Sequence, residues 1–274
     1  MYQETKIITM SKVFKNDREG EGWLSDHRKF DGDSRLKEKL VFRRGSKMRC
    51  IYCGGTADTR EHCPSKMLVS DLGDINLPVL PACFSCNNGF SEDELFAKSY
   101  LDYIKIWQFG HALPENADLK TNIEKEALSQ SKRFIETNGS DQNERVKRIL
   151  IKLAIGHATY ELSEDLSFGS GWTVSAVQYL TKSMVDKEDW NLLQKPVEVS
   201  EESFPEIGSR QYTDIMIVEG YRSVPNVQNH IFLIWQDIKE GVYSYIAYST
   251  GFKEIVVKIV IGDVFFAQIS FERN

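Results

Sequence analysis

CIYCGGTADTREHCPSKMLVSDLGDINLPVLPACFSCNNGFSEDE, residues 50–94, contains two Cys-x-x-Cys pairs, Cys50/Cys53 and Cys83/Cys86. A two-residue spacer forms a tight knuckle that points both sulfurs at one ion. Two such knuckles complete a closed tetrahedral site of four thiolates, for which the suited metal is Zn²⁺ in a structural role. The chain has five cysteines, and with four of them in knuckles their usage argues against a secreted disulfide framework and for metal binding in a reducing compartment. Cys63 is left over and reads as a buried strand-end residue.

Working outward from the knuckles, residues 47–53 read as a strand entering the first one, and Gly54-Gly55 supply the backbone freedom of its turn. Residues 59–62 read as a short strand, 63–75 as a loop, and 76–81 as an edge strand, since prolines are tolerated there and not in a central strand. Ser91 and Glu94 have the spacing of a capping box ahead of an apolar stripe at Phe96, Tyr100, Tyr103, Ile104 and Trp107, so the spacing predicts a helix from Ser91. Asn87 then falls on a single turn before it.

Between the knuckles lie Glu61-His62 and Asn76, and Asn87 follows the last cysteine directly. In combination these residues resemble the HNH endonuclease family. Its pattern runs Cys-x-x-Cys, acid-His, Asn, Cys-x-x-Cys, then His or Asn, and the resemblance is confined to residues 50–94 of the 274. It implies a ββα-metal module that hydrolyses nucleic-acid phosphodiester bonds. His62 would be the general base, and Glu61 and Asn87 the ligands of a catalytic Mg²⁺ or Mn²⁺, held through oxygen with open positions for phosphate and water. Asn76 corresponds to a residue that fixes the orientation of the histidine. In this pattern Glu61 stands where many relatives have Asp, and Asn87 where many have His.

The rest of the chain bounds the setting. With 41% hydrophobic and 27% charged residues, it has the composition of an ordinary globular protein. No apolar run reaches membrane-spanning length and the polar start MYQETKIITM lacks a signal-peptide pattern, so no membrane association and a cytoplasmic location are expected. The net charge of −6 sits awkwardly with a nucleic-acid partner, but it is unevenly distributed: residues 35–49 carry +6 and the remainder −12. Placed just before the zinc site, this run reads as a phosphate-tracking arm.

Three segments are expected: 1–45, irregular with the basic arm; 46–110, the zinc and ββα module; and 111–274, an α+β domain for targeting, dimerisation or regulation. In the last of these, residues 111–125 read as a surface connection. A helix over 142–162 follows, with Val146, Ile149, Leu150, Leu153, Ala154 and His157 on one face and His157 read as a satisfied core histidine. Runs at 212–218, 230–236, 242–249, 254–261 and 263–271 predict an antiparallel meander packed on that helix, giving an α+β fold class.

Two functions fit these residues: a metal-dependent HNH-type endonuclease acting on nucleic acid, with DNA the expected substrate, in a setting such as restriction or anti-phage defence; or a non-catalytic zinc-stabilised module that binds nucleic acid or protein. A homo-oligomer or partner protein would be engaged through the C-terminal segment. If the 35–49 run tracks phosphates, replacing Arg43, Arg44 and Lys47 with Gln weakens nucleic-acid binding across sequences and flattens its dependence on salt, by about one unit of slope per lost contact. Affinity measured over a salt series checks this, and an unchanged slope would make the run a solvated face.

Overall fold

The computed structural model describes residues 7–9, 49–69, 77–111, 119, 121–139, 143–200, 205, 209–218, 230–251 and 253–274; the basic arm before Arg49 lies outside the described residues. In chain order the elements are β1 (Ile7–Thr9), β2 (Thr59–His62), β3 (Val79–Ala82), α1 (Phe84–Gly89), α2 (Ser91–Gln108), α3 (Asn122–Glu136), α4 (Glu144–Leu162), β4 (Trp172–Thr181), α5 (Lys187–Leu193), β5 (Val197–Val199), α6 (Arg210–Thr213), β6 (Ile215–Val218), β7 (His230–Leu233), β8 (Gln236–Lys239), β9 (Tyr243–Ser249), β10 (Glu254–Ile261) and β11 (Phe265–Arg273). The described strands form three antiparallel sheets, ordered β1-β6-β7-β5, β4-β11-β10-β9-β8 and β2-β3. The fold is therefore α+β, as expected.

The five-stranded sheet contains three strands of the predicted meander, the runs at 242–249, 254–261 and 263–271, as β9, β10 and β11. Strands β8 to β11 are joined by short turns, and every residue of β10 pairs with β11 while most also pair with β9. With partners on both sides, β10 is the central strand, and its Ile255, Val257 and Ile259 are fully buried. Helix α4 packs its apolar stripe on β9, β10 and β11. The runs at 212–218 and 230–236 are divided differently from the expectation. The first opens with the short helix α6, and β6 and β7 form a separate sheet with β1 and β5.

Other elements also differ from the sequence reading. The connection read over 111–125 gives way to α3 at Asn122, capped by Thr121, whose hydroxyl accepts from the Glu124 N–H while the Glu124 carboxylate accepts from the Thr121 N–H. Its buried Ala127, Leu128, Ser131 and Phe134 face the core. Strand β4 had no counterpart among the predicted strands; it pairs along its length with β11, and its largely exposed pattern hides the periodicity of a core strand. The Ser91 capping box does not form. The N-cap of α2 is Phe90 with no side-chain cap, the Ser91 hydroxyl donates to the Asn88 carbonyl, and the Glu94 side chain turns inward to a lysine.

One cluster of buried side chains joins α2 (Phe96, Tyr100, Ile104), α4 (Ile149, Leu153) and the large sheet, so a continuous core crosses the boundary drawn at residue 110. Among the described residues no helix is long and apolar enough to cross a membrane.

His157 of α4 lies in this core at 1% exposure, its ring stacked on Tyr245 at 3.7 Å and its Nε2 2.7 Å from the Tyr243 hydroxyl. Burial pushes its pKa from the ordinary 6.5 down to about 3, so the ring is neutral in the folded state. The unfolded chain takes up that proton more readily. The stability from this group is therefore present above about pH 6.5 and lost as the pH falls toward about 3, at up to about 1.4 kcal/mol per pH unit. Urea denaturation at about pH 7 and about pH 5 is expected to show a smaller loss in His157→Gln than in the wild type.

Candidate metal centre and adjoining hairpin

The first knuckle is a turn at residues 51–53, closed by the Gly54 N–H on the Cys50 carbonyl at 2.9 Å and by the Cys50 N–H on the Gly55 carbonyl at 2.7 Å. Gly54 adopts φ +72°, a left-handed conformation that favours glycine. The strand expected over 47–53 is reduced to an isolated bridge between Arg49 and Thr56, because the knuckle turn consumes the residues that would extend it. The second knuckle spans the end of β3 and the start of α1: the Cys83 sulfur caps α1 by accepting from the Cys86 N–H, and the Asp58 carboxylate accepts from the Phe84 N–H at 2.6 Å.

What brings the knuckles together is β3. Its Pro81 carbonyl accepts from the Ile51 N–H at 3.1 Å, which docks the first knuckle against the strand that leads into the second. The four cysteine sulfurs consequently lie within 4.8 Å of one another, with Cys53 and Cys83 at 3.7 Å. Tetrahedral Zn²⁺ with bonds of about 2.3 Å requires sulfurs about 3.8 Å apart, so the spacing fits a four-thiolate ion. The group of Cys50, Cys53, Cys83 and Cys86 can hold a metal ion, and it is the only cluster of three or more Cys, His, Asp or Glu with that geometry among the described residues. Burial pushes the Cys50 and Cys86 thiols up, while the Cys86 N–H donating to Cys83 brings that thiol down. Ligation of a cation by four thiolates would release their protons.

Strands β2 and β3 pair with Glu61 opposite Leu80 and His62 opposite Val79, and α1 packs against β2. Asn87 on α1 donates its amide to the Thr59 hydroxyl at 3.3 Å and to the Arg60 carbonyl at 3.1 Å. Its nitrogen is thereby committed to the hairpin. His62 is half-buried at the end of β2. Asn76 lies outside the described residues.

Glu61 sits in the interior at 6% exposure. Its Oε1 is 3.2 Å from the ammonium of Lys152 on α4, which also bonds Glu94 and lies 5.1 Å from the centre of the Phe90 ring. All three charged residues are more than nine-tenths buried. Among the described residues, the buried Glu61 Oε2 has no hydrogen-bond partner. Burial pushes the Glu61 carboxyl up, Lys152 holds it back, and the second carboxylate, Glu94, raises it further. Two carboxyl groups thus share one ammonium in this interior cluster.

Lys152 and the inward turn of Glu94 were not anticipated as site features. The signal was available: Ile149, Lys152, Leu153 and Gly156 follow the helical stripe, and a lysine on such a stripe requires a buried carboxylate. Comparison of the chain with protein-family models, with curated proteins and with solved structures finds no match.

The purified protein is expected to contain about one zinc per chain. Cys50→Ser or Cys86→Ser should unfold residues 50–94, because a structural zinc contributes folding free energy directly. Elemental analysis with circular dichroism checks both, and a folded protein free of zinc would remove the claim.

Proposed function

We propose that the chain is a metal-dependent endonuclease of HNH type that hydrolyses nucleic-acid phosphodiester bonds, with DNA the expected substrate. The observation that carries this reading is the hairpin β2-β3 with α1 fastened across it through Asn87, so that the acid-His pair and the last Asn of the motif belong to one small unit beside the cysteine cluster. His62 is the general base, taking the proton of the attacking water. A divalent Mg²⁺ or Mn²⁺ held by Glu61 and Asn87 would neutralise charge on the phosphate oxygens. The orphaned Glu61 Oε2 and the Asn87 Oδ1 are donor atoms suited to such a hard cation. Asn76 is assigned the orientation of His62, and the four cysteines a structural Zn²⁺ that holds the hairpin and α1 in register.

One observation favours a second reading, a zinc-stabilised binding module without catalysis: the carboxylate of Glu61 already has a cation beside it, Lys152. In that reading Lys152 replaces the divalent ion and the motif residues are structural. The C-terminal sheet would then provide the contact with a partner, as it would provide targeting or dimerisation for the nuclease.

His62→Ala should abolish divalent-dependent cleavage while leaving zinc content and nucleic-acid binding near wild type, with a rate loss of about 10²–10⁴-fold. Asn87→Ala should instead raise the Mg²⁺ or Mn²⁺ concentration needed for half-maximal rate. Cleavage of a panel of single- and double-stranded DNA and RNA checks both. Equal rates for wild type and His62→Ala would remove the nuclease reading and leave the binding module.

A further inference from the structure

Two alternate residues at the end of β2 and just beyond it meet α4. Glu61 meets Lys152 at 3.2 Å, and Cys63, the first residue after the strand, has its sulfur 3.4 Å from Nδ1 of His157. Glu61 and Cys63 are two residues apart and share a face of the extended chain, so His62 between them is presented on the other face. The Cys63 N–H also donates to the Pro78 carbonyl at 2.9 Å, so this residue is held by β3 as well as by α4.

Gly156 of α4 lies against Cys63 and Leu80 of the hairpin. A Cβ at this position would stand 2.7 Å from the Cys63 sulfur, 3.5 Å from the Cys63 Cβ and 3.6 Å from Leu80 Cδ1. Only the first of these distances is prohibitive. A glycine inside a long helix is destabilising relative to alanine, and here the missing methyl group is what lets Cys63 reach His157. The His157 ring cannot readily yield, because Tyr243 and Tyr245 fix it from the sheet.

We propose that Gly156 is a positioning residue for His62: its bare Cα lets α4 clamp Cys63 on one side of the histidine while Lys152 clamps Glu61 on the other. The catalytic part of this inference rests on the nuclease reading, whereas the clamp itself rests on the contacts above. Through it, α4 and the large sheet set where the base stands, so the hairpin and zinc cluster alone do not complete the site.

A double-mutant cycle tests the clamp in the full-length zinc-loaded protein. Gly156→Ala should lower kcat on the order of tenfold to 10²-fold with KM unchanged, because a small misplacement of a catalytic group is felt mainly in the chemical step. In a Cys63→Ala background the obstructing sulfur is gone, and adding Gly156→Ala should change kcat by no more than about twofold. A helix-propensity effect would act alike in both backgrounds, and equal losses would overturn the proposal. Histidine-selective NMR gives a readout that needs no activity: the His62 ring resonances should move in Gly156→Ala and return in the double variant to their Cys63→Ala positions. Unmoved resonances would overturn the clamp. If the wild type cleaves none of the nucleic acids offered, the nuclease reading fails by that result while the resonances still decide the clamp. If Gly156→Ala alone does not fold, recovery of folding in the double variant supports the contact, and its failure to recover overturns it.

Discussion

The buried ammonium of Lys152 is the constraint on which the site region depends. Glu61 of the hairpin and Glu94 of α2 converge on it, and none of the three residues is exposed by more than a tenth. Taking charges out of water is costly, and their mutual attraction compensates only when every partner is in place. Removing Lys152 alone would strand two carboxylates, at a cost of about 3–5 kcal/mol. Such a cluster adds little net stability compared with apolar packing, but it permits few alternative arrangements. It ties hairpin, α2 and α4 together at one point, beside a ring of Phe90 that also touches Tyr52 of the first knuckle at 5.1 Å.

Around that point the chain uses two further fixings of different chemistry. The cysteine cluster sets the knuckles, and through Ile51 and Pro81 sets where β3 meets the first turn. The His157 network sets the far end of β2 against the sheet. Glu161, one helical turn further along α4, is buried as well, accepting from the Tyr245 hydroxyl at 2.6 Å and the Gln211 N–H at 3.1 Å. Helix α4 thus presents Lys152, His157 and Glu161 in succession, each satisfied by a different part of the fold. This arrangement accounts for a helix that is apolar in its pattern and yet buries several ionisable groups, since each group is matched to a specific partner.

The orphaned oxygen of Glu61 distinguishes this site from a closed structural network. A buried carboxylate oxygen without a donor is costly, and Glu161 of α4 shows that the fold is able to satisfy a buried carboxylate. Asn87 faces the hairpin with its nitrogen committed, and its oxygen places a second hard donor on the same small unit. These two atoms give the nuclease reading its physical content, and Lys152 gives the binding-module reading its own.

How much was legible in the sequence follows from the range of the interactions. The knuckles, the hairpin strand at 59–62, the helix over residues 142–162 and the meander strands after residue 242 are encoded by local spacing and periodicity, and they were readable from it. The α3 helix is locally encoded too, in the Thr121-Glu124 box and the stripe behind it. The Ser91 box failed for a tertiary reason: Glu94 is worth more to Lys152, across 58 residues of sequence, than to its own helix terminus. Strand β4 and the division of the strands into separate sheets depend on which partners the chain finds at long range. Local spacing specified two dithiol knuckles and an acid-His pair on a short strand between them, because two-residue spacers and strand alternation are local geometry, and the contact of Ile51 with Pro81 then brought the four thiols together. Only the tertiary structure decided that Glu61 would turn inward to a lysine and that a glycine would bring α4 against Cys63, because contacts between distant elements are set by packing and charge compensation, which no local pattern records.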